Sequence, residues 1–291
     1  MIVGSRLAGV PCLCHVRNFD PLTWLDRRLA RWVAQFIFIS RAVAEGYASQ
    51  GLVPTWSEVI PNAIGSEAFA SPQETQAIRR RLGWSDHNFI VVNTGRLVRW
   101  KGQDIFLQAM ARVADVAPHL RCFIVGEPDG DANSLAFAEE LKVLAESLGL
   151  AERVTFTGFR DDALQLMKAS DVVVHSASTP EPFGRVIIEG MAAGKPVVAT
   201  RAGGVVDIIE DGYDGLLVPP RDSQAMAEAV LAVQADPVWA GRLGGRALVK
   251  VRRQFTLDQH AERVQRVYQR VWDRTAVRMP GHAHLIRPAE G

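Results

Sequence analysis

Two carboxylates lie eight residues apart in the segment EPFGRVIIEGMAAGKPVVAT, which covers residues 181–200. Glu181 opens this segment beside Pro-Phe-Gly. Glu189 follows within an apolar run that contains Val186, Ile187, Ile188 and Met191. A carboxylate in apolar surroundings is costly unless a hydrogen-bonding group satisfies it. The spacing therefore indicates that Glu189 bonds either a protein group or a ligand.

A helix around Glu189 would place both carboxylates at one crevice. It is predicted to begin near Phe183 or Gly184 and to end at Ala193, with Glu181 in the preceding loop. The first N–H groups of a helix have no partner inside it and attract negative charge. A carboxylate within the helix suits a vicinal diol such as that of a ribose, and one in the loop suits the hydroxyls of a second sugar. The alternative is that Glu189 pairs with an arginine and that Glu181 lies on the surface.

Two cations follow a strand-like run in the segment NTGRLVRWKGQD, residues 93–104. Gly95 lets a phosphate approach the backbone, and the helix that opens after Lys101 favours an anion at its N-terminus. Arg96 and Lys101, five residues apart, suit a diphosphate. The alternative is a solvated basic loop. Together with the carboxylates, this pattern describes a crevice for a ribose, a diphosphate and a hexose, which are the parts of a nucleotide sugar.

Short apolar runs alternate with helical patterns along the chain, which is typical of a parallel α/β sheet. The predicted strands lie at 11–16, 35–40, 57–64, 88–95, 120–126, 153–158, 171–176, 196–200 and 214–219. Ligands bind beyond the carboxyl ends of such strands, so this order of elements would bring the candidate residues together. Residues 222–274 are predicted to be helical throughout.

The pattern predicts two units. Residues 1–72 would form an N-terminal unit that ends in a linker at 62–72, residues 73–274 a nucleotide-sugar-binding domain, and residues 275–291 a loose tail. The first unit has about two strands, which is little for an independent domain. Either it leans on the second unit or its leading half is absent. If the leading half is absent, we expect the exposed edge of its sheet to promote self-association.

Composition limits the class of protein. The chain has 291 residues, a formal net charge of +1 and 48% hydrophobic residues, which favours a cytoplasmic globular protein. The near-neutral charge argues against nucleic-acid binding. We expect no membrane span and no signal peptide. Cys12 and Cys14 are predicted core residues of a reduced protein, and no set of cysteines and histidines has the spacing of a zinc site.

A second helical pattern occurs in PLTWLDRRLARWVAQF, residues 21–36. Four of its apolar residues recur at helical spacing and are predicted to face the core: Leu22, Leu25, Leu29 and Trp32. Another face carries Trp24, Arg27, Arg28 and Arg31. A basic face with a tryptophan suits an anionic surface at the inner face of the cell membrane, where a lipid-linked acceptor would be held. The alternative is an ordinary solvated helix face.

Residues 181–200 resemble the E-x7-E signature of the retaining family-4 glycosyltransferases of the GT-B fold. GRLVRWKGQD resembles that family's phosphate-binding G-R-L-x-x-x-K-G. FIVGEPDG, VTFTGFRDD and ASDVVVHSAS follow in the family's order, and AGGVVDIIEDGYDGLLVPPRD resembles its closing sequence. The resemblance is strong from about residue 86 and weaker over residues 1–64. It implies an α/β protein of GT-B type with two Rossmann-like parallel-sheet domains, of which the first is truncated.

The resemblance implies roles for five side chains. Arg96 and Lys101 would hold the donor diphosphate, and Glu189 would bind the ribose diol. Glu181 would be catalytic and bind the donor hexose. His15 would be the second catalytic residue and would be aimed at the reacting sugar from the first domain. The alternative for His15 is a histidine at a strand end that bonds only the backbone.

The same resemblance implies further contacts to the donor. Phe183 and Gly184 would offer backbone N–H groups to the hexose, and Gly158, Phe159 and Arg160 would lie beside the base. No metal ion and no cofactor are implied, so the cations and the helix N-terminus would neutralise the leaving diphosphate. The donor sugar would keep its configuration through attack on the same face, with the leaving phosphate helping to deprotonate the acceptor.

The expected activity is hexose transfer from a nucleotide-diphosphate sugar to a glycan, lipid-linked or small-molecule acceptor, in polysaccharide biosynthesis. Two alternatives belong to other classes. An inactive nucleotide-sugar-binding fragment would bind the donor without hydrolysing it. A sugar-nucleotide epimerase of the GT-B fold would be expected to lack the spaced Glu181 and Glu189.

Overall fold

The computed structural model describes residues 1–276. They form two compact units. The first unit combines Met1–Asn62 with the chain from Leu257 onward, and the second is Ala63–Thr256.

A three-stranded parallel sheet forms the centre of the first unit. Its elements up to Asn62 are α1 (Ile2–Leu7), β1 (Cys12–Val16), α2 (Trp24–Ala30), β2 (Val33–Phe38), α3 (Arg41–Ser49) and β3 (Ser57–Val59). The strand order is β1-β2-β3. Within residues 1–276, β1 pairs with β2 alone, so its outer edge is unpaired. The expected self-association through that edge stays a prediction.

Helix α2 is shorter and more exposed than the sequence pattern predicts. Thr23 and Asp26 form a capping box at its start, which satisfies N–H groups that the helix leaves unpaired. The helix ends at Ala30, before the predicted apolar stripe reaches Trp32. Because the stripe is interrupted there, α2 has no buried residue, and the prediction that Leu25 faces the core is wrong.

The second unit is a six-stranded parallel sheet with helices between the strands. Its elements are α4 (Pro72–Arg81), β4 (Phe89–Thr94), α5 (Gln103–Val116), β5 (Leu120–Val125), α6 (Ala132–Ser147), β6 (Val154–Gly158), α7 (Ala163–Ala169), β7 (Val172–His175), α8 (Arg185–Ala192), β8 (Val197–Thr200), β9 (Leu216–Val218), α9 (Ser223–Ala235) and α10 (Pro237–Gln254). The strand order is β6-β5-β4-β7-β8-β9. The chain therefore changes direction across the sheet between β4 and β7, which is the position where such sheets bind ligands.

Burial on both faces explains why these strands are nearly continuous apolar runs. Ile90, Val91 and Val92 of β4 are fully buried, and so are the valines of β7 and β8. Helices α5, α6 and α9 contribute to an apolar cluster that packs on the sheet. The predicted α/β class with parallel sheets is confirmed.

The last described helix, α11 (Leu257–Ala276), belongs to the first unit, whereas the predicted boundary placed it with the second. Val267 and Val271 are buried against Ile37 of β2 and Ile60. This apolar stripe explains the difference, because helical periodicity shows that a helix has a buried face but not which sheet covers it. The predicted loose tail begins within this helix at Thr275, and its remainder from residue 277 lies outside the described residues.

The predicted linker at 62–72 is also packed rather than loose. Ile64 N–H donates to the carbonyl of Phe255 at 3.0 Å, and Ile64 and Ala68 are buried. Residues from Ala63 onward therefore belong to the second unit. The apolar residues of this segment have little helical or strand periodicity, so no pattern predicted that it packs.

Candidate functional site

The candidate donor site is a cavity at the carboxyl ends of strands in the second unit. It has a volume of about 610 Å³. Its lining comes from the ends of β4 and β5, from the segments that follow β4, β5 and β6, and from α8: residues 94–96, 125–129, 159–161, 163 and 164, with Arg185 and Glu189. The structure therefore brings together four predicted residues in one cavity, namely Arg96, Phe159, Arg160 and Glu189.

Close backbone contact at the strand ends shapes the mouth of this cavity. Gly126 has a φ of +141°, and a Cβ added there would lie 2.0 Å from the carbonyl oxygen of Gly95. Only glycine fits this conformation and this distance without strain. The ends of β4 and β5 can therefore meet without side chains that would fill the crevice.

Arg96 lies at the cavity wall and remains accessible. Its guanidinium contacts Asp129 at 2.6 Å, and its side chain is 59% exposed. Gln103, which is buried, donates to the carbonyl of Arg96 at 2.9 Å and fixes the backbone there. An exposed ion pair contributes at most about 1 kcal/mol, so a ligand phosphate can replace Asp129 at little cost.

The predicted role of Lys101 would place it beside Arg96 in the cavity. Lys101 does not line the cavity. Its Nζ lies 2.6 Å from Oε2 of Glu181. His175, at the end of β7, places Nε2 at 3.1 Å from the same oxygen. The structure thus joins Lys101 to the predicted sugar-binding carboxylate across the point where β4 and β7 are adjacent.

Glu181 is buried, which excludes the alternative that it is a surface residue. Burial alone would raise its pKa, but the hydrogen bond from His175 and the charge of Lys101 outweigh burial and lower the pKa to about 2. The carboxylate therefore stabilises the fold at pH values above its ordinary pKa of 4.5, and this contribution is lost as the pH falls toward about 2.

The short turn that carries Lys101 and the segment that follows β7 are tied to each other by hydrogen bonds. Ser176 Oγ donates to the carbonyl of Lys101 at 2.9 Å, and Asn93 Nδ2 donates to Ser176 Oγ at 3.0 Å. Ser178 N–H donates to the carbonyl of Trp100 at 2.8 Å. These bonds fix the backbone on both sides of the Lys101 and Glu181 pair.

The peptide of Glu181 is held from its other side by a glycine pair. Gly204 N–H donates to the carbonyl of Glu181 at 2.7 Å. A Cβ at Gly203, where φ is +68°, would lie 2.2 Å from that oxygen. This close approach requires glycine, so the AGG segment after β8 has a structural role in placing Glu181.

Glu189 lies in α8, largely buried, with its carboxylate at the cavity. Arg185 Nε contacts its Oε1 at 2.9 Å, so the arginine partner that the sequence left as an alternative is present. That arginine is 70% exposed and lines the cavity too. Burial raises the pKa of Glu189, Glu67 raises it further, and Arg185 opposes both. An exposed partner can move aside, so the ion pair and ligand binding are compatible.

Phe183 and Gly184 immediately precede α8. The Phe183 ring is buried and packs on Phe255, with centroids 6.2 Å apart. Gly184 has a φ of +102° and starts the helix. Within residues 1–276 the N–H groups of both residues donate to no acceptor. Neither residue lines the cavity, so their contact with a donor hexose stays a prediction.

The three residues predicted beside the base lie at the end of β6 and directly after it. Gly158 ends the strand, and its carbonyl accepts from Gly126 N–H at 3.0 Å. Phe159 is 70% exposed at the cavity, where a planar ligand can stack on its ring. Arg160 is held by two bonds to Asp162, at 2.6 and 2.7 Å. Arg160 is thus fixed in orientation, and Phe159 is available.

His15 lies in the first unit at β1. Its Nε2 is buried and has no hydrogen-bond partner within residues 1–276. Burial lowers its pKa, and the charges of Arg17 and His260 lower it further. A cavity of about 410 Å³ beside it is lined in part by Arg17, Asn18 and Asp20. Nε2 of His15 therefore does not make the backbone hydrogen bond that the alternative assumed.

Sequence reasoning missed His175, Arg185 and Asp129. Arg185 stands four residues before Glu189, a spacing at which helical side chains meet, so this pair was open to prediction. His175 ends an apolar strand and Asp129 lies in a loop, and neither carries a local signal.

Among the described residues no group of three histidines, cysteines or carboxylates is arranged to hold a metal ion. No helix of the described chain has the length and apolar character to cross a membrane.

An open parallel sheet with a polar cavity at its switch point defines a Rossmann-like α/β protein. The model of the family described as glycosyl transferases group 1 matches residues 74–247, and this chain belongs to that family. The match covers the cavity, Lys101, His175 and both glutamates.

Similar proteins agree with this family. The D-inositol 3-phosphate glycosyltransferase of Stackebrandtia nassauensis is 34% identical over 225 residues, which are 75% of this chain and 50% of that protein. Another from Streptomyces bingchenggensis is 33% identical over 75% of this chain and 48% of that protein. The chain spans about half the length of the curated relatives that it matches.

Solved structures show the same fold. The crystal structure of Anabaena HepE in complex with UDP-glucose has a TM-score of 0.84 and 30% identity, over 92% of this chain and 75% of that chain. The sucrose-phosphate synthase of Thermosynechococcus elongatus has a TM-score of 0.80 and 25% identity, over 94% of this chain and 71% of that chain. The expected fold class is therefore confirmed, and the resemblance to a glycosyltransferase is confirmed at the level of this family.

Proposed function

We propose that this chain is a retaining glycosyltransferase that moves a hexose from a nucleotide-diphosphate sugar to a hydroxyl acceptor. One observation carries the proposal: a buried, ionised Glu181 bonds Lys101 beside a cavity of about 610 Å³ whose wall holds Arg96 and Glu189. These groups match the hexose, the diphosphate and the ribose of such a donor in kind.

The diphosphate would bind Arg96 and Lys101. Arg96 offers a planar guanidinium that can bond two phosphate oxygens, and Lys101 offers a compact charge. The free N–H groups before α8 add neutral donors, and the helix N-terminus favours negative charge. Charge that develops on the leaving diphosphate would be stabilised by these fixed groups.

The hexose would lie between the diphosphate and Glu181. The carboxylate would accept hydrogen bonds from sugar hydroxyls, and the N–H groups of Phe183 and Gly184 would donate to others. In the reaction the bond from the anomeric carbon to the diphosphate oxygen breaks. The acceptor oxygen forms its bond on the same face, and its proton passes to the leaving phosphate. His15, in the first unit, stays our candidate for a second catalytic residue.

UDP-glucose is the donor with which we would test the proposal. HepE, which is 30% identical, has been crystallised with UDP, with UDP-glucose, and with UDP and glucose. Phe159 supplies an exposed ring for a base at the cavity of this chain. We expect the full chain to bind UDP-glucose and to release glucose from it slowly without an acceptor. Binding without release would instead indicate a nucleotide-sugar-binding module.

Glu189→Gln should lower the affinity for UDP by about 10-fold, since a carboxylate that accepts from the ribose diol contributes more than an amide. The loss should be smaller for 2′-deoxy-UDP, measured by calorimetry.

Because burial raises the pKa of Glu189, the affinity of the wild type for UDP should fall on acidification while the pH is still above the ordinary pKa of 4.5. Protonation removes the charged acceptor, and the Gln variant should lack this pH dependence.

Glu139→Gln is the matched control, because Glu139 is exposed and pairs only with Lys142 on α6. Its affinity for both nucleotides should equal that of the wild type. Equal losses for UDP and 2′-deoxy-UDP in Glu189→Gln would show that Glu189 serves only its ion pair with Arg185.

We propose that α2 of the first unit contacts the anionic cytoplasmic surface of a membrane that carries the acceptor. Trp24 is 69% exposed and Leu25 lies beside it in the open. Arg27, Arg28 and Arg31 are exposed on the same helix and its cap. An apolar pair next to three cations has the character of an interfacial helix, and its positive charge complements anionic headgroups.

Vesicle flotation tests this contact. The wild type should float with vesicles that contain phosphatidylglycerol and not with phosphatidylcholine alone. Replacing Arg27, Arg28 and Arg31 by glutamine should abolish the difference. Replacing Arg242, Arg246 and Arg253, which are exposed on α10, removes the same charge and should leave flotation unchanged. Flotation that ignores lipid charge would contradict the proposal.

A further inference from the structure

Lys101 and His175 share one oxygen of Glu181. Lys101 Nζ lies 2.6 Å and His175 Nε2 lies 3.1 Å from Oε2. The second oxygen, Oε1, accepts no hydrogen bond from residues 1–276. The carboxylate therefore has one oxygen held by two donors and one oxygen available to a ligand.

The proton on His175 is placed by its partner. An ionised carboxylate only accepts hydrogen bonds, so Nε2 of His175 must carry the proton and donate. Nδ1 is buried and has no partner within residues 1–276. The ring is fixed at the end of β7, where His175 pairs in register with Ala199 of β8. Its one polar contact among the described side chains is with Glu181.

The two donors differ in their freedom to move. The backbone of Lys101 is tied to β7 through Ser176, but its long side chain reaches Nζ through four rotatable carbons. His175 is rigid and buried. A diphosphate bound at the cavity would attract Nζ away from Glu181, because it carries more negative charge than one carboxylate. His175 would then be the remaining side chain that bonds Oε2.

We propose that His175 is a positioning residue for Glu181: it holds Oε2 when Lys101 turns to the donor diphosphate, and so keeps Oε1 directed at the hexose. This inference rests on the proposed function, because it requires a donor with both a diphosphate and a sugar. It predicts that His175 affects binding of the sugar part and leaves binding of the nucleotide part almost unchanged.

Three variants separate positioning from packing. His175→Leu keeps the apolar volume and removes the donor. His175→Gln places an amide N–H near the position of Nε2, and His175→Asn ends one carbon short of it. Calorimetry with UDP-glucose and with UDP gives the preference of each variant for the sugar nucleotide. A hydrogen bond to a charged group corresponds to a loss of about 10-fold or more.

The Leu and Asn variants should lose about 10-fold in affinity for UDP-glucose and less than about 2-fold for UDP, and the Gln variant should recover most of the loss. In the donor-free protein, carbon-detected NMR should show the pKa of Glu181 rising from about 2 in the Leu and Asn variants, because the hydrogen bond from His175 contributes to that low value. An unchanged Glu181 titration would overturn the inference.

The outcomes also distinguish this inference from the proposed function. A wild type that binds neither UDP nor UDP-glucose would overturn the proposed function and the role of His175 with it. A wild type that binds both, with equal losses for UDP and UDP-glucose in all three variants, would overturn only the inference, since that pattern reports a structural role.

Discussion

Lys101→Met should weaken the binding of UDP by about 10- to 100-fold, because a charge-assisted hydrogen bond to phosphate contributes about 1.5–3 kcal/mol. Methionine keeps an apolar stem of similar length along Gly95 and over the ring of Trp100, and it removes the charge. Calorimetry measures the affinity. Arg96→Ala should have a smaller effect, because its exposed guanidinium is screened by solvent.

Arg99→Ala is the control for Lys101→Met. Arg99 belongs to the same short turn, Arg99–Lys101, but its guanidinium contacts Glu140 at 2.6 Å and is 61% exposed. Its removal should leave the affinity for UDP within about 2-fold of the wild type. If Arg99→Ala and Lys101→Met lose affinity equally, the turn contributes only general positive charge and Lys101 does not bind the diphosphate.

Lys195→Met should raise the free energy of unfolding by about 3 kcal/mol near neutral pH. Burial lowers the pKa of Lys195 from 10.5 to about 8, the attraction of Asp171 opposes this effect, and the repulsion of Arg79 adds to it. Each pKa unit corresponds to about 1.4 kcal/mol, so the charged ammonium destabilises the fold. Methionine fills a similar volume without that charge. Urea denaturation measures the difference.

The stability gain of Lys195→Met should depend on pH. Between about 8 and 10.5 the unfolded chain binds the proton of Lys195 and the folded chain does not, so the stability of the wild type rises with pH in this window. The gain of Lys195→Met should therefore be complete below about pH 8 and shrink toward 10.5. Lys142→Met, at an exposed position on α6, should change stability by less than about 0.5 kcal/mol. A gain that does not vary with pH would contradict the account.

Much of the second unit was predictable because its signals are local. Buried parallel strands appear in a sequence as apolar runs. Each predicted run between residues 88 and 218 corresponds to a strand, with bounds that differ by a few residues. Glu181 was expected before the helix and Glu189 on its second turn, and α8 begins at Arg185 between them. The first unit was less predictable, since neither α1 nor α2 has a buried residue.

The order of strands and helices in the second unit could be predicted from the sequence. Parallel βα units place every strand's carboxyl end at one edge, which is why Arg96 and Glu189 line one cavity. Glu181 lies outside that lining, and its role toward a donor stays a prediction. The pairing of Lys101 with Glu181, the share of His175 in that pairing and the packing of α11 in the first unit are visible only in the folded chain. Lys101 and Glu181 meet across the boundary between β4 and β7, which are adjacent although β5 and β6 separate them in sequence. Strand order depends on packing over the whole sheet, and no local pattern records it.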